Sequence, residues 1–118
     1  MPEYVLLLYD AETPMTRFSP DEMQAVIQRY GAWMARLAQS GTLLGGQKLT
    51  DNAGRVLRKQ EDKLAVTDGP YTELKEMIGG FFHIKADDYQ QAVQIARDCP
   101  HLEYGTVEIR EIERTAPV

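Results

Sequence analysis

The longest pattern in the chain is a run of apolar residues at helical spacing. Apolar side chains recur every three or four positions across residues 23–37, as on one face of an α-helix. Ser19 is typical of an N-cap, Pro20 suits the first helical position, and Glu22 would complete a capping box. Gly41 is the expected C-terminal stop. The pattern therefore predicts a helix of about five to six turns.

Shorter apolar runs predict strands, and a second amphipathic stretch predicts another helix. Asp87 or Asp88 would cap that helix and Pro100 would end it. Gly45-Gly46, inside the second predicted strand, indicates a bulge or a close backbone approach. The predicted strands span residues 3–9, 42–49, 55–59, 63–67, 80–86 and 106–112.

The order of these elements predicts an α+β fold of the ferredoxin-like type. Each half consists of a strand, a helix and a strand, and a hairpin is inserted between the halves. Such a chain forms one antiparallel sheet with both helices on a single face, and we expect one domain over residues 1–118. The other face of the sheet would be exposed in a monomer, so a homodimer is expected.

Composition and charge narrow the range of partners. The 118 residues are 43% hydrophobic and 26% charged, which is ordinary for a globular domain. A net charge of −5 argues against direct binding to nucleic acid or to an anionic membrane. The apolar run at residues 5–9 is too short for a signal peptide or a membrane span, so we expect a cytoplasmic protein.

The cysteine and histidine content predicts neither a disulfide nor a metal site. Cys99 is the single cysteine, and we expect it to be buried near a helix end. His83 and His101 are far apart and form no HxH or HxxxH motif, so we predict neither a metal nor a cofactor. His101 follows Pro100 and is expected in a surface loop.

His83 is the histidine with a candidate chemical role. Strand alternation places Phe81, His83 and Lys85 on one face, and Phe82, Ile84 and Ala86 on the other. His83 is either a structural residue with its hydrogen bonds satisfied or, if it points into a barrel interior, a general base.

The segment from Asp68 to Gly80 contains the other charged candidates. Asp68 precedes Gly-Pro and is either a turn residue or a ligand and proton acceptor at the end of a strand. Glu73, Lys75 and Glu76 would form either a solvated salt-bridge cluster or, if turned into a cleft, an acid–base or anion-binding group. Tyr30 and Trp33, on the long helix, would be core residues or would line an apolar pocket.

The stretch DGPYTELKEMIGGFF closely resembles the signature of the DGPF-type, YCII-related proteins. The flanking stretches EYVLLLY, SGTLLGG and VEIREI agree, so the resemblance covers roughly residues 3–112, and Tyr71 stands where the family usually has Phe. The resemblance implies a dimeric α+β barrel, in a family whose members mostly lack an established function. Some resemble domains encoded near, or fused to, bacterial sigma factors, which implies a possible regulatory context. YCII proteins proper carry a His in or near the first helix and an Asp, suggested as a catalytic pair, but residues 19–40 here contain no His.

Together, these observations predict a homodimeric α+β barrel that binds an unknown small molecule. An alternative is a weak lyase, isomerase or hydrolase in which Asp68 or His83 is the general base and Lys75 stabilises a developing anion. A second alternative is a regulatory module that binds its partner through a surface. The predicted ligand-binding residues are Asp68, Tyr71, Glu73, Lys75, Glu76, Tyr30 and Trp33.

Overall fold

The computed structural model describes residues 1–10, 18–50, 54–68 and 77–114. The strands and helices in chain order are β1 (Glu3–Asp10), α1 (Pro20–Gln39), β2 (Leu43–Lys48), β3 (Arg55–Gln60), β4 (Lys63–Asp68), β5 (Met77–Lys85), α2 (Tyr89–Ala96) and β6 (Gly105–Glu111). A short 3₁₀ helix, Pro100–Glu103, lies between α2 and β6.

The strands form one four-stranded sheet and a separate hairpin. The order in the main sheet is β2-β5-β1-β6, and every neighbouring pair is antiparallel. Strands β3 and β4 pair only with each other within the part of the chain that is described. The ferredoxin-like α+β fold with an inserted hairpin is therefore confirmed.

Both helices pack on the same face of the main sheet. Alternate residues of β1 are buried on that face, as are Phe82 and Ile84 of β5. The ring of Trp33 from α1 meets Phe82 edge-on, with centroids 5.0 Å apart, and small residues of α2 pack against the same cluster. The core consists of Tyr4, Leu6, Leu8, Trp33, Phe82, Ile84, Ala86, Ala92, Ala96 and Cys99.

Helix α1 begins at the predicted capping box. The backbone N–H of Glu22 donates to the Ser19 hydroxyl, and the Ser19 N–H donates to the Glu22 carboxylate, each at 3.2 Å. Two of the donors that a helix N-terminus leaves unpaired are thus satisfied. Gly41, just beyond the C-terminal end, adopts a φ of +74°, a conformation that glycine enters without a side-chain penalty.

The paired glycines of β2 lie at the predicted irregularity. The register with β5 shifts between Leu43 and Gly45, which confirms the bulge. A Cβ on Gly46 would lie 2.8 Å from the Phe82 ring and from the Phe81 carbonyl oxygen, so this approach requires glycine.

Two predicted boundaries differ from the structure by more than one residue. Helix α2 ends at Ala96, before Pro100, because that proline begins the 3₁₀ helix instead. Strand β5 begins at Met77, three residues before the predicted start at Gly80.

The face of the main sheet opposite the helices is open and partly apolar. Val5 and Leu7 of β1 and Phe81 of β5 are half-buried on this face, beside the polar side chains of Glu3 and His83. We call it the open face. None of the described helices is long and apolar enough to cross a membrane.

Candidate functional site

His101 is buried, and the expectation of a surface loop was wrong. The residue is 3% exposed, and its ring packs edge-on against Tyr104 with centroids 4.9 Å apart. The 3₁₀ helix that begins at Pro100 turns the imidazole inward, beneath α1 and beside the end of β1. A helix of four residues has no repeating apolar pattern, so the sequence carried no signal for this burial.

Hydrogen bonds fix the protonation pattern of this imidazole. Nε2 lies 2.8 Å from the Tyr9 carbonyl oxygen, and because a carbonyl only accepts, Nε2 carries the hydrogen. In the neutral ring Nδ1 is then the acceptor, and it lies 3.0 Å from the Tyr30 hydroxyl. The Tyr30 oxygen in turn accepts a hydrogen bond of 2.6 Å from the Tyr104 hydroxyl. The result is a chain that runs from Tyr104 through Tyr30 to His101.

A carboxylate lies beside this chain. Asp10 Oδ1 is 3.9 Å from His101 Nε2, and the Asp10 side chain is 37% exposed. We call the group formed by Tyr9, Asp10, Tyr30, His101 and Tyr104 the His101 site. It joins the end of β1 to α1 and to the turn before β6.

Two glycines leave room for the polar atoms of the site. In the pairing of β1 with β5, Leu8 lies opposite Gly80 and Tyr9 opposite Ile78, so Gly79 is the extra residue of a bulge. A Cβ on Gly79 would overlap the Asp10 carboxylate. A Cβ on Gly105 would overlap His101 Nε2 and the Tyr9 carbonyl oxygen.

Burial keeps the hydroxyl and thiol groups of this region protonated. Burial raises the pKa of Tyr30, and the hydrogen bond from Tyr104 raises it further. Burial also raises the pKa of Tyr104, although donation to Tyr30 opposes the shift. The neighbouring Cys99 is buried near the end of α2, as expected, and burial raises the pKa of its thiol to about 11. At neutral pH the two tyrosines are therefore donors, and Cys99 is an unreactive thiol.

The hydrogen-bond chain can move a proton without moving a heavy atom. When a proton enters at the Tyr104 oxygen, Tyr104 passes its own hydrogen to Tyr30 and Tyr30 passes its own to Nδ1 of His101, after which Nδ1 donates to Tyr30 and Tyr30 donates to Tyr104. Tyr104 is only half-buried, so the chain links a buried imidazole to a residue that is partly exposed. The arrangement is suited to acid–base chemistry or to recognition of a polar ligand.

Among the described residues, Asp68 lies in no enclosed cluster. It ends β4, its side chain is 84% exposed, and Oδ1 lies 3.3 Å from Arg55 across the hairpin. No hydrogen bond or ion pair joins Asp68 to His83 in the described ranges. The predictions for Tyr71, Glu73, Lys75 and Glu76 lie outside the described residues, and their roles, like that of Asp68, remain predictions.

His83 lies on the open face and is paired with a carboxylate. Its Nε2 is 2.6 Å from Glu3 Oε1, and the two side chains are 34% and 29% exposed. The pairing satisfies one ring nitrogen and suits a structural residue as well as an oriented base.

The two candidate residues on α1 lie in different parts of the structure. Tyr30 lies in the His101 site, through its hydroxyl, whereas Trp33 lies in the core. The Trp33 Nε1–H donates to the Ile95 carbonyl oxygen at 3.4 Å.

The segment singled out in the sequence reaches this site through its last residues. Met77 pairs with Asp10, and Gly79 lies against the Asp10 carboxylate. No group of three or more His, Cys, Asp or Glu side chains that could hold a metal ion occurs among the described residues.

Comparison with known proteins assigns the chain to a family. An uncharacterized protein of Rhizobium meliloti (strain 1021) is 27% identical over 117 residues, an alignment that covers 97% of this chain and 94% of that protein. A solved structure of 5-chloro-2-hydroxyhydroquinone dehydrochlorinase (TftG) from Burkholderia phenoliruptrix AC1100, in complex with 2,5-dihydroxybenzoquinone, aligns with a TM-score of 0.49 and 15% identity over 94% of this chain and 93% of that one. The family model of the YCII-related domain matches residues 2–116. The chain therefore belongs to the YCII-related family, as the DGPYTELKEMIGGFF stretch predicted.

Proposed function

We propose that this protein is a homodimer that binds a small polar molecule at the His101 site. The observation that carries the proposal is a buried imidazole whose two nitrogens are both hydrogen-bonded, one of them through a chain of two tyrosine hydroxyls. Burying so many polar groups is costly, and a purely apolar core would need none of them. Their position beside the half-exposed Asp10 supports a binding role.

The chemistry of the site restricts the ligand. Asp10 offers a carboxylate acceptor, and Tyr104, whose own hydrogen is donated to Tyr30, offers a hydroxyl oxygen as a second acceptor. The rings of Phe18 and Tyr104 meet edge-on at 6.0 Å and supply an aromatic surface beside these groups. The best-matched ligand is a small molecule with a hydrogen-bond donor for Asp10 and an apolar or aromatic body.

The open face supports the dimeric part of the proposal. Val5, Leu7 and Phe81 form a partly apolar strip that the helices of the same chain do not cover. A two-fold partner would bury this strip, with the Glu3–His83 pair at the same interface. Sedimentation measures the oligomeric state directly. A protein that remains a monomer of 13.4 kDa up to about 1 mM contradicts the proposed homodimer.

A second candidate function is a lyase, isomerase or hydrolase reaction with proton transfer. The specific observation in its favour is the reversible chain from Tyr104 to His101, which would let the imidazole exchange a proton with a bound molecule. His101 thereby joins Asp68 and His83 as a candidate acid–base residue.

The binding site is tested by thermal shift with Asp10→Asn. This substitution removes the charge at a partly exposed position and preserves the shape of the side chain. A panel of small phenols, amines and hydroxy acids is screened against the wild type, Asp10→Asn and, as a control, Asp21→Asn at an exposed position on α1.

A ligand present at about 100 times its dissociation constant stabilises the folded state by about 2.7 kcal/mol. We expect hits to stabilise the wild type and Asp21→Asn equally and to stabilise Asp10→Asn far less. Equal stabilisation of all three proteins places the ligand elsewhere and contradicts the proposed site.

A further inference from the structure

The inserted hairpin has an apolar side that its own chain leaves exposed. Leu57 of β3 lies directly opposite Val66 of β4, and Leu64 lies two residues from Val66 on the same side. Leu57, Leu64 and Val66 are 60%, 65% and 55% exposed, respectively. We call them the hairpin apolar side.

A hairpin of this kind needs a partner. An isolated two-stranded sheet is at best marginally stable in water. Strands β3 and β4 make no extensive contact with any other described helix or strand. The Cα radius of gyration is 16.4 Å, whereas a compact chain of this length has one of about 13.5 Å, so the single chain is unusually extended.

Charge indicates what the partner is. Residues 55–68 contain four basic residues (Lys or Arg) and three acidic residues (Asp or Glu). The whole chain contains 13 basic and 18 acidic residues. The hairpin therefore carries a net charge of +1 and the rest of the chain a net charge of −6. A basic arm with an exposed apolar side is complementary to the acidic remainder of another copy.

We propose that the hairpin of each chain packs its apolar side against a second copy of the same chain and clasps the dimer. The inference rests on the proposed homodimer and adds to it a contact outside the open face. Along the chain, the hairpin lies between Lys48, the last residue of β2, and Met77, the first residue of β5. Met77 pairs with Asp10, so the hairpin is connected to the end of the main sheet that carries the His101 site.

The decisive variant is Leu57→Thr combined with Val66→Thr. Threonine keeps the strand preference of the hairpin, and a directly opposed Thr pair is a favourable cross-strand pair, so the change removes apolar surface rather than the hairpin itself. The control is Ile27→Gln, which removes an apolar side chain that is 61% exposed on α1. A third variant, Leu7→Arg, disrupts the open face.

Sedimentation equilibrium gives the monomer–dimer dissociation constant of each protein, and Trp33 fluorescence reports that the core has folded. We expect the hairpin variant to raise the dissociation constant at least tenfold and Ile27→Gln to change it less than twofold. If the hairpin variant stays within twofold of the wild type while Leu7→Arg becomes monomeric, the clasp is wrong and the proposed dimer stands. A monomeric wild type refutes the proposed dimer and the clasp together, but leaves the ligand-binding proposal to its own test.

Hydrogen–deuterium exchange of the wild type decides the matter even if the double variant fails to fold. The amides of residues 55–68 should exchange at least tenfold more slowly in the dimer than after dilution to monomer. Exchange of these amides that does not depend on protein concentration in a dimerising protein overturns the clasp.

Discussion

Tyr30→Phe is the most direct test of the His101 site. The substitution keeps the ring and removes one oxygen, which accepts a hydrogen bond from Tyr104 at 2.6 Å and lies 3.0 Å from His101 Nδ1. Tyr104 is half-buried and can turn its hydroxyl toward water, but His101 is 3% exposed. The main consequence is therefore a buried imidazole nitrogen without a hydrogen-bond donor.

The expected loss of stability follows from that unsatisfied acceptor. A buried polar group deprived of its partner costs about 1–3 kcal/mol, so we expect Tyr30→Phe to lower the free energy of unfolding by about 2 kcal/mol. With an unfolding entropy of about 2.1 cal/mol/K per residue, 118 residues correspond to about 0.25 kcal/mol/K. The midpoint of thermal unfolding should then fall by about 8 °C.

The assay is urea unfolding followed by the fluorescence of Trp33, the single tryptophan, which is 2% exposed. Tyr89→Phe is the matched control, because its hydroxyl accepts a bond of 2.8 Å from the Glu111 N–H while the residue is 47% exposed. Water can replace that bond, so the control should lose less than about 1 kcal/mol.

Equal losses for Tyr30→Phe and Tyr89→Phe would refute this reasoning, because they would show that His101 does not depend on the Tyr30 hydroxyl. A double-mutant cycle with His101→Ala adds a stricter criterion. If the two residues act through one bond, their losses should fall short of additivity by about 0.5–3 kcal/mol.

Three further predictions use the same unfolding measurement. Gly105→Ala should lower the free energy of unfolding by about 1–3 kcal/mol, because the added methyl group overlaps His101. Gly45→Ala is the control, because a methyl group there meets no atom within 4 Å. Similar losses for the two variants would contradict the packing. Burial raises the folded pKa of Cys99 to about 11. The stability that the protonated thiol contributes is therefore fully present below the ordinary thiol pKa and is lost between about pH 9 and pH 11. The free energy of unfolding should fall by about 2–3 kcal/mol over this range, and it should fall less steeply with pH in Cys99→Ala. Equal pH dependence of the two proteins would contradict this. Ser19→Ala should cost about 1 kcal/mol and Ser19→Asp much less, because aspartate also caps a helix; equal costs would contradict the capping role.

Local rules were sufficient for most of the fold. The Ser19 cap, the glycine irregularity in β2 and the alternation along β5 depend only on neighbours in sequence, and each appears in the structure. The hairpin turn departs from a local rule: Glu61 and Asp62 both adopt positive φ, as a type I′ turn requires, although such turns favour Asn and Gly. The order of these elements then leaves few ways to build one sheet.

The candidate site could not be predicted in the same way. Its hydrogen bonds join Tyr30 to His101 and His101 to Tyr9, pairs that are 71 and 92 positions apart. A single histidine in a four-residue 3₁₀ helix has no periodicity that reveals burial, and the neighbouring proline is typical of exposed turns.

The structure gives a physical reason for Gly79 and Gly80, the glycine pair that ends the segment from Asp68 to Gly80. Gly80 faces β2, where an added Cβ would lie 2.8 Å from the Gln47 carbonyl oxygen. Gly79 is the bulged residue and borders the Asp10 carboxylate, where any side chain would force that carboxylate to move. One glycine therefore permits close pairing of the sheet, while the other sets the position of a charge beside His101. A substitution at Gly80 should consequently affect stability first, whereas one at Gly79 should affect ligand binding first, because a half-exposed carboxylate can turn aside at little cost to the core.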